Sequence, residues 1–204
     1  MKLLSIGNNK KLGKRVAVFN LPSGITCPGA TIECKKICYA KKAEKNYPAV
    51  LPFRKRNLKE SKKSTFVNDI LNEIRIKKIK MIRISESGDF YNQEYLDRWK
   101  EIWTNCPDVK FLAFTKSFHL DFGELPDNVS LYCSIDSTTT KIPLEKLPKA
   151  LTVMKRENVP DGYRYCWPIG KKEDGTKDPN HYHICGDKCM LCWDNKVDVA
   201  WSKH

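Results

Sequence analysis

Nine cysteines stand in a chain of 204 residues, and seven of them fall in or beside two short segments. The first segment is Cys27-x6-Cys34-x3-Cys38, opened by Thr26-Cys27-Pro28-Gly29-Ala30-Thr31 and followed by Tyr39-Ala40. Three thiols on one loop can converge on a single ion or cluster, and Pro28-Gly29 lets the chain turn around it. Structural zinc normally takes four closed ligands, often from Cys-x2-Cys knuckles, and this loop has neither. An iron–sulfur centre with one open iron is the expectation there. The second segment is Cys185-x3-Cys189-x2-Cys192, to which Cys166 can add a fourth thiol. Four thiolates accept [4Fe–4S] or zinc, and both stay open at this site. His181 and His183 are alternative ligands in the same stretch, while Cys106 and Cys133 stand alone and read as small core hydrophobes.

The elements that must carry these thiols show in the apolar spacing. Arg15–Asn20 reads as a strand stopped by Leu21-Pro22-Ser23-Gly24, after which residues 27–38 form a cysteine-bearing loop. Ser64 or Thr65 caps a helix with Phe66, Val67, Ile70, Leu71 and Ile74 on one face. Lys80–Ser85 reads as a buried strand followed by a polar turn. Asn92 then caps a helix whose apolar face is Tyr95, Leu96, Trp99, Ile102 and Trp103, ending at Cys106-Pro107. Further strands are expected at Val109–Phe114, Val129–Ile135, Ala150–Met154 and Tyr163–Trp167.

Apolar strands alternating with helical stretches imply βαβ units and a parallel sheet. Five or six strands suit a partial (β/α) barrel, since a full one needs about 250 residues. The fold class is therefore α/β: one domain over 1–204, with a basic cluster-loop and helical part at 1–80. A strand-rich part follows at 81–165, and a cysteine-rich tail at 166–204. Polar residues lie just past the strand ends, at Ser85, Glu86, Ser87, Gly88, Asp89 and Lys116, the edge where parallel α/β proteins build sites. No Ser-His-Asp set, glycine-rich phosphate loop or hydrolytic carboxylate pair stands out.

The formal charge of +13 is one-sided. Residues 1–80 hold 20 Lys and Arg against 5 acids, +15, and the remainder holds 17 against 19, −2. A basic field of this kind over residues 35–80 attracts polyanions, nucleic acid above all, unless it is only a set of solvated helix faces. At 41% hydrophobic the chain can bury a core. No apolar run approaches the roughly 20 residues of a membrane helix. The apolar opening Leu3-Leu4-Ser5-Ile6 is too short for a secretory signal, so a cytoplasmic protein is expected, and clustered cysteines there bind metal more often than they form disulfides.

On Phe19-Asn20-Leu21-Pro22, Thr26 through Thr31, Cys34 through Ala40 and Cys189-Met190-Leu191-Cys192-Trp193, the chain resembles a phage and mobile-element family known as gene product eighty-eight. That resemblance implies a phage protein working in the cytoplasm of a bacterial host, and it implies no activity. Cys34-x3-Cys38-Tyr39-Ala40 also resembles the cluster loop of radical S-adenosylmethionine (SAM) enzymes, in which three cysteines after the first barrel strand hold [4Fe–4S] and SAM chelates the open iron. By that resemblance Ser85–Asp89 falls where a second-strand motif holds the SAM amino group, and Phe111 through Lys116 where the third strand ends. The spacing departs from that family, being x6 then x3 rather than x3 then x2. Three readings follow. One is a radical-SAM-like iron–sulfur enzyme with one or two clusters, acting on nucleic acid or another polyanion. The others are a non-catalytic metal-stabilised nucleic-acid binder and a redox sensor.

Overall fold

The periodicity of the chain becomes one sheet with its two faces packed differently. The computed structural model describes residues 2–7, 9–142, 144–168, 176, 184–194 and 197–202. Strands form at Ser5–Ile6 (β1), Ala17–Phe19 (β2), Met81–Ile84 (β3), Lys110–Thr115 (β4), Val129–Ile135 (β5), Lys149–Val153 (β6), Arg164–Tyr165 (β7) and Val199–Ser202 (β8). They pair in the order β1-β2-β3-β4-β5-β6-β8-β7, and every pairing but β1 with β2 is parallel. From β2 to β6 the strands follow chain order without a reversal, so the segments leaving β2, β3, β4 and β5 all emerge at one edge. Helices form at Ile32–Ile37 (α1), Tyr39–Asn46 (α2), Val50–Ser61 (α3), Phe66–Lys77 (α4) and Gln93–Asn105 (α5).

Alternation along the strands sorts the two faces. Phe19, Ile82, Ile84, Phe111, Ala113 and Leu131 share one core with the apolar stripes of α4 and α5. Phe66 and Trp99 meet Phe19 edge to face at 5.5 Å between centroids, a geometry that aromatic quadrupoles favour. Asn92 caps α5 as its sequence requires, accepting from the Tyr95 amide at 2.9 Å. On the opposite face, Val18, Met81, Leu112 and Tyr132 pack with Leu12 and Trp193. Among the described residues, that face is covered by the cysteine-rich tail and by no α-helix.

The structure corrects four expectations. Residues 27–38 are not all loop: α1 forms within them, because Thr31 caps it by accepting from the Cys34 amide at 3.1 Å. Alternating strands and helices persist only as far as β4, since the described residues of the connections after β4 and β5 contain no α-helix. The strand expected at Tyr163–Trp167 shrinks to Arg164–Tyr165, and the tail is not beyond the last strand. It returns as β8, which inserts between β6 and β7. The sheet is thus an open mixed α/β sheet with β1 and β7 at its edges.

The chain start is tied down through α4. The buried Glu73 carboxylate accepts from the Leu3 amide at 2.7 Å and from the Leu4 amide at 3.2 Å, and pairs with Lys77. Asn57 of α3 donates to Leu3 O at 3.0 Å. Removing the carboxylate leaves buried amides without an acceptor, each worth about 1–3 kcal/mol. Glu73→Ala is therefore expected to destabilise the fold by about 2–4 kcal/mol, read from urea unfolding. A loss within 0.5 kcal/mol or so of zero, the ordinary surface value, would show that the chain start contributes nothing.

Candidate functional site

The first cysteine loop is pressed onto the strand ends by backbone contacts that only glycine permits. A Cβ at Gly29 would stand 1.9 Å from the Lys116 carbonyl oxygen. Gly88 has φ +83°, and its Cβ would lie 2.6 Å from both Leu21 Cβ and Thr26 Oγ1. The loop is stitched there by Leu21 N to Ser87 O at 3.0 Å, Ser87 Oγ to Leu21 O at 2.7 Å and Asp89 N to Thr26 O at 3.0 Å. Behind it, buried Arg54 of α3 donates to Ala40 O at 3.0 Å and to Glu44 at 2.8 Å. Glu44 in turn accepts from the Ser23 amide and hydroxyl, both at 2.7 Å. Arg54 therefore holds α2 and is no part of an exposed basic patch.

A buried polar chain runs along the edge. Asp89 accepts from Phe90 N at 2.7 Å, Thr115 Oγ1 at 2.7 Å and Lys116 N at 2.8 Å. Burial still pushes its carboxyl above the ordinary carboxylate range. Lys116 Nζ reaches Asp136 at 2.7 Å and Ser134 O at 2.9 Å. Asp136 also accepts from Thr31 Oγ1 at 2.6 Å, which joins β5 to the N-terminus of the cysteine helix. Burial opposes the Asp136 charge, but the donors Lys116, Thr31 and Thr138 hold its carboxyl down at about 2.

The second cysteine segment lies across the face opposite α4 and α5. Cys185 N donates to Lys11 O at 2.8 Å, and Gly186 N to Cys189 O at 2.9 Å. Trp193 is buried beneath, with its carbonyl accepting from Ser130 Oγ at 2.6 Å. Cys166, just past β7, donates its amide to Ala200 O at 2.6 Å. This arrangement brings both groups together: Cys27, Cys34, Cys38, Cys166, Cys185, Cys189 and Cys192 line one cleft of about 620 Å³. Ser85, Glu86, Ser87, Gly88, Asp89 and Lys116 line it too. Cys106 ends α5, and Cys133 is buried in β5 with its thiol 3.6 Å from Leu144 O. His181 and His183 lie outside the described residues.

The donor chemistry suits a soft cation. Burial pushes the Cys27 and Cys185 thiols to about 11 and Cys192 to about 12, and within each group neighbouring thiols raise one another further. A bound cation reverses both effects, since thiolate is the ligating form. As placed, no three Cys, His, Asp or Glu side chains among the described residues could hold a metal ion. Cluster binding would draw the thiols inward from their present positions.

Several cleft residues escaped the reading of the sequence. Arg83 of β3, Phe114 of β4 and Trp201 of β8 line the cleft. The signal for Arg83 was legible: one charge inside Met81-Ile82-Arg83-Ile84, a strand otherwise apolar. Trp201 was hidden because β8 is only four residues long.

The family described as Gene product 88 matches residues 2–196. Gene 88 protein of Mycobacterium phage L5 is 33% identical over 147 residues, covering 64% of this chain and 61% of the relative. Gene 88 protein of Mycobacterium phage D29 is also 33% identical over 147 residues, covering 64% of this chain and 60% of the relative. The chain thus spans about three fifths of the length of these relatives. No solved structure matches the chain. Among the described residues, no helix is long and apolar enough to cross a membrane.

The Asp136 network has a pH signature. A carboxyl held at about 2 contributes stability that is complete above its unfolded value and lost as pH falls through the folded one. Asp136→Asn should be less stable than wild type at neutral pH, and the gap should close between about pH 4 and pH 2. Urea midpoints of both proteins across that range check this. A gap that stays constant with pH would mean the ion pair is not its source.

Proposed function

We propose that this chain, which belongs to the gene product 88 family, holds an iron–sulfur centre in the cleft between its two cysteine segments. The observation that carries this reading is the convergence of seven thiols, from segments more than 100 residues apart, on one cleft. Cys27, Cys34 and Cys38 would hold a centre with one open iron. Cys166, Cys185, Cys189 and Cys192 would hold a closed one, or zinc in its place. When bound, [4Fe–4S] supplies one-electron chemistry. Gly29 and Gly88 keep the first loop against the sheet edge, while Lys116 and Asp136 fix the N-terminus of α1.

A finer reading is a radical-SAM-like partial barrel with SAM as co-ligand, acting on nucleic acid or another polyanion in a bacterial host. Its support is the chain-order succession of parallel strands from β2 to β6. The cysteine loop follows the first parallel strand, Ser85–Asp89 the second and Lys116 the third, all at one edge. The x6 and x3 cysteine spacing is this chain's departure from that pattern. SAM cleavage by the reduced protein would separate this enzyme from a redox protein that only carries the centre.

Anaerobically prepared protein is expected to contain iron and acid-labile sulfide and to absorb near ~400 nm. Cys34→Ala should lose iron with little change in thermal unfolding. Cys189→Ala should lose stability as well, because its loop packs under the sheet. Zinc without sulfide in the wild type would sink the iron–sulfur reading.

A second reading, nucleic-acid binding, has its own support in exposed lysines around the cleft mouth. Lys35, Lys36, Lys41, Lys42 and Lys45 are exposed on α1 and α2, with Tyr39 and Tyr47 exposed beside them. Replacing Lys41, Lys42 and Lys45 with Ala should weaken binding to single-stranded DNA and reduce its log–log salt slope by about two units, at roughly 0.7 per phosphate contact. Arg54 is left intact because it is structural. An unchanged slope would reduce these lysines to solvated faces.

A further inference from the structure

Among the described residues, Arg83 forms no ion pair and its Nη1, shut off from solvent, makes no hydrogen bond. It sits mid-strand in β3, in register with Val18 of β2 and Leu112 of β4, two apolar residues. Glu86 shares the cleft and its charge acts on Arg83 through space, but it forms no ion pair with Arg83 and is bonded by the amides of Asn9 and Asn20. The other cleft carboxylates, Asp89 and Asp136, are committed to Thr115, Lys116 and Thr31.

The guanidinium is nevertheless held in a defined plane. Its carbon lies 3.9 Å from the centroid of the Phe114 ring. Phe114 is stacked on Tyr132 at 5.0 Å and braced edge-on by Trp201 at 5.4 Å. A flat cation fixed on an aromatic platform presents its N–H fork edgewise, the geometry that suits a carboxylate or phosphate. Arg83 is half-buried, and a guanidinium nitrogen shut off from water without an acceptor is costly, so one that persists marks a site completed by something else. The opening beside it is the cleft, whose volume of about 620 Å³ is within the range of small-molecule sites.

We propose that Arg83 is the anion-recognition residue of the cleft, receiving the carboxylate or phosphate of a small organic ligand. This inference concerns the same cleft as the iron–sulfur reading but does not rest on it. Iron and sulfide can be absent while anion binding persists, and anion binding can fail while iron and sulfide are present.

The test uses the full chain under reducing, anaerobic conditions with three small aromatic probes: benzoate, phenyl phosphate and the neutral benzamide. Binding is followed by tryptophan fluorescence, since Trp193 and Trp201 line the cleft. At least one anion should bind with a Kd of about 10 mM or tighter, and benzamide should bind at least tenfold more weakly. The anion that binds tells whether the fork takes carboxylate or phosphate. R83Q should lose at least tenfold in that affinity, and R83K should fall between, keeping charge without the fork. R83M reports independently of ligand: its melting temperature should equal or exceed that of wild type, because a shielded nitrogen without an acceptor is removed. Equal binding of benzamide and the anions would overturn the proposal. So would retained affinity in R83Q, or no anion binding to the wild type. Loss of iron and sulfide from R83Q with anion affinity intact would assign the cation to the thiolates instead, and would also overturn it.

Discussion

The carboxylate of Asp89 is the tie on which the sheet edge depends. It is buried, and leaving a buried carboxylate unpaired would cost several kcal/mol or more. Three donors meet it, from the residue after it and from the end of β4, while its own amide reaches back to Thr26. One side chain thus fixes the ends of two strands and the entry to the cysteine loop. The order passes outward from there. Lys116, placed by its backbone bond to Asp89, aims its ammonium at Asp136, and Asp136 holds the hydroxyl of Thr31. Thr31 then caps the helix that carries Cys34. A sequence of charge-assisted bonds therefore sets where a thiol sits.

What the sequence disclosed and what it hid divide along range of interaction. β5 runs from Val129 to Ile135 as its largely apolar run requires, and α5 buries the five residues its 3.6-residue period selects. Both are local signals strong enough to need no tertiary help. The cysteine groups were legible because thiol spacing is itself local. Their meeting in one cleft was not, because it depends on β8 threading between β6 and β7. A strand of four residues offers almost no periodicity to read. Arg54, within the basic stretch 35–80, is a related case. Within Arg54-Lys55-Arg56 its charge looks the same as its neighbours', yet helical rotation turns it onto Ala40 and Glu44 while Lys55 and Arg56 face water.

The two faces of the sheet carry separate burdens. α4 and α5 seal one face with aromatic packing that needs no cofactor. The other is closed by the tail, where Trp193, Met190 and Cys192 pack with Leu112 and Tyr132. Cys27–Cys38 and Cys166–Cys192 come from opposite ends of the chain, so the donor set exists only in the folded protein. Metal bound there would add its binding free energy to folding. The apolar packing under the tail means that this contribution adds to a docked segment and does not create one.

The cleft combines features that a fold selected for stability alone would avoid. Thiols are crowded until each raises its neighbour's pKa, and Arg83 is kept in an apolar strand with its Nη1 unbonded and no ion pair among the described residues. The two features share a direction: crowded thiols gain from a cation, and a lone guanidinium gains from an anion. They are brought to one space by opposite ends of the chain and steadied by aromatic rings. On the readings proposed above, the thiols would take a metal centre and Arg83 an anionic ligand beside it. The rigid core behind α4 and α5 supplies the stability that lets those unmet charges stand open.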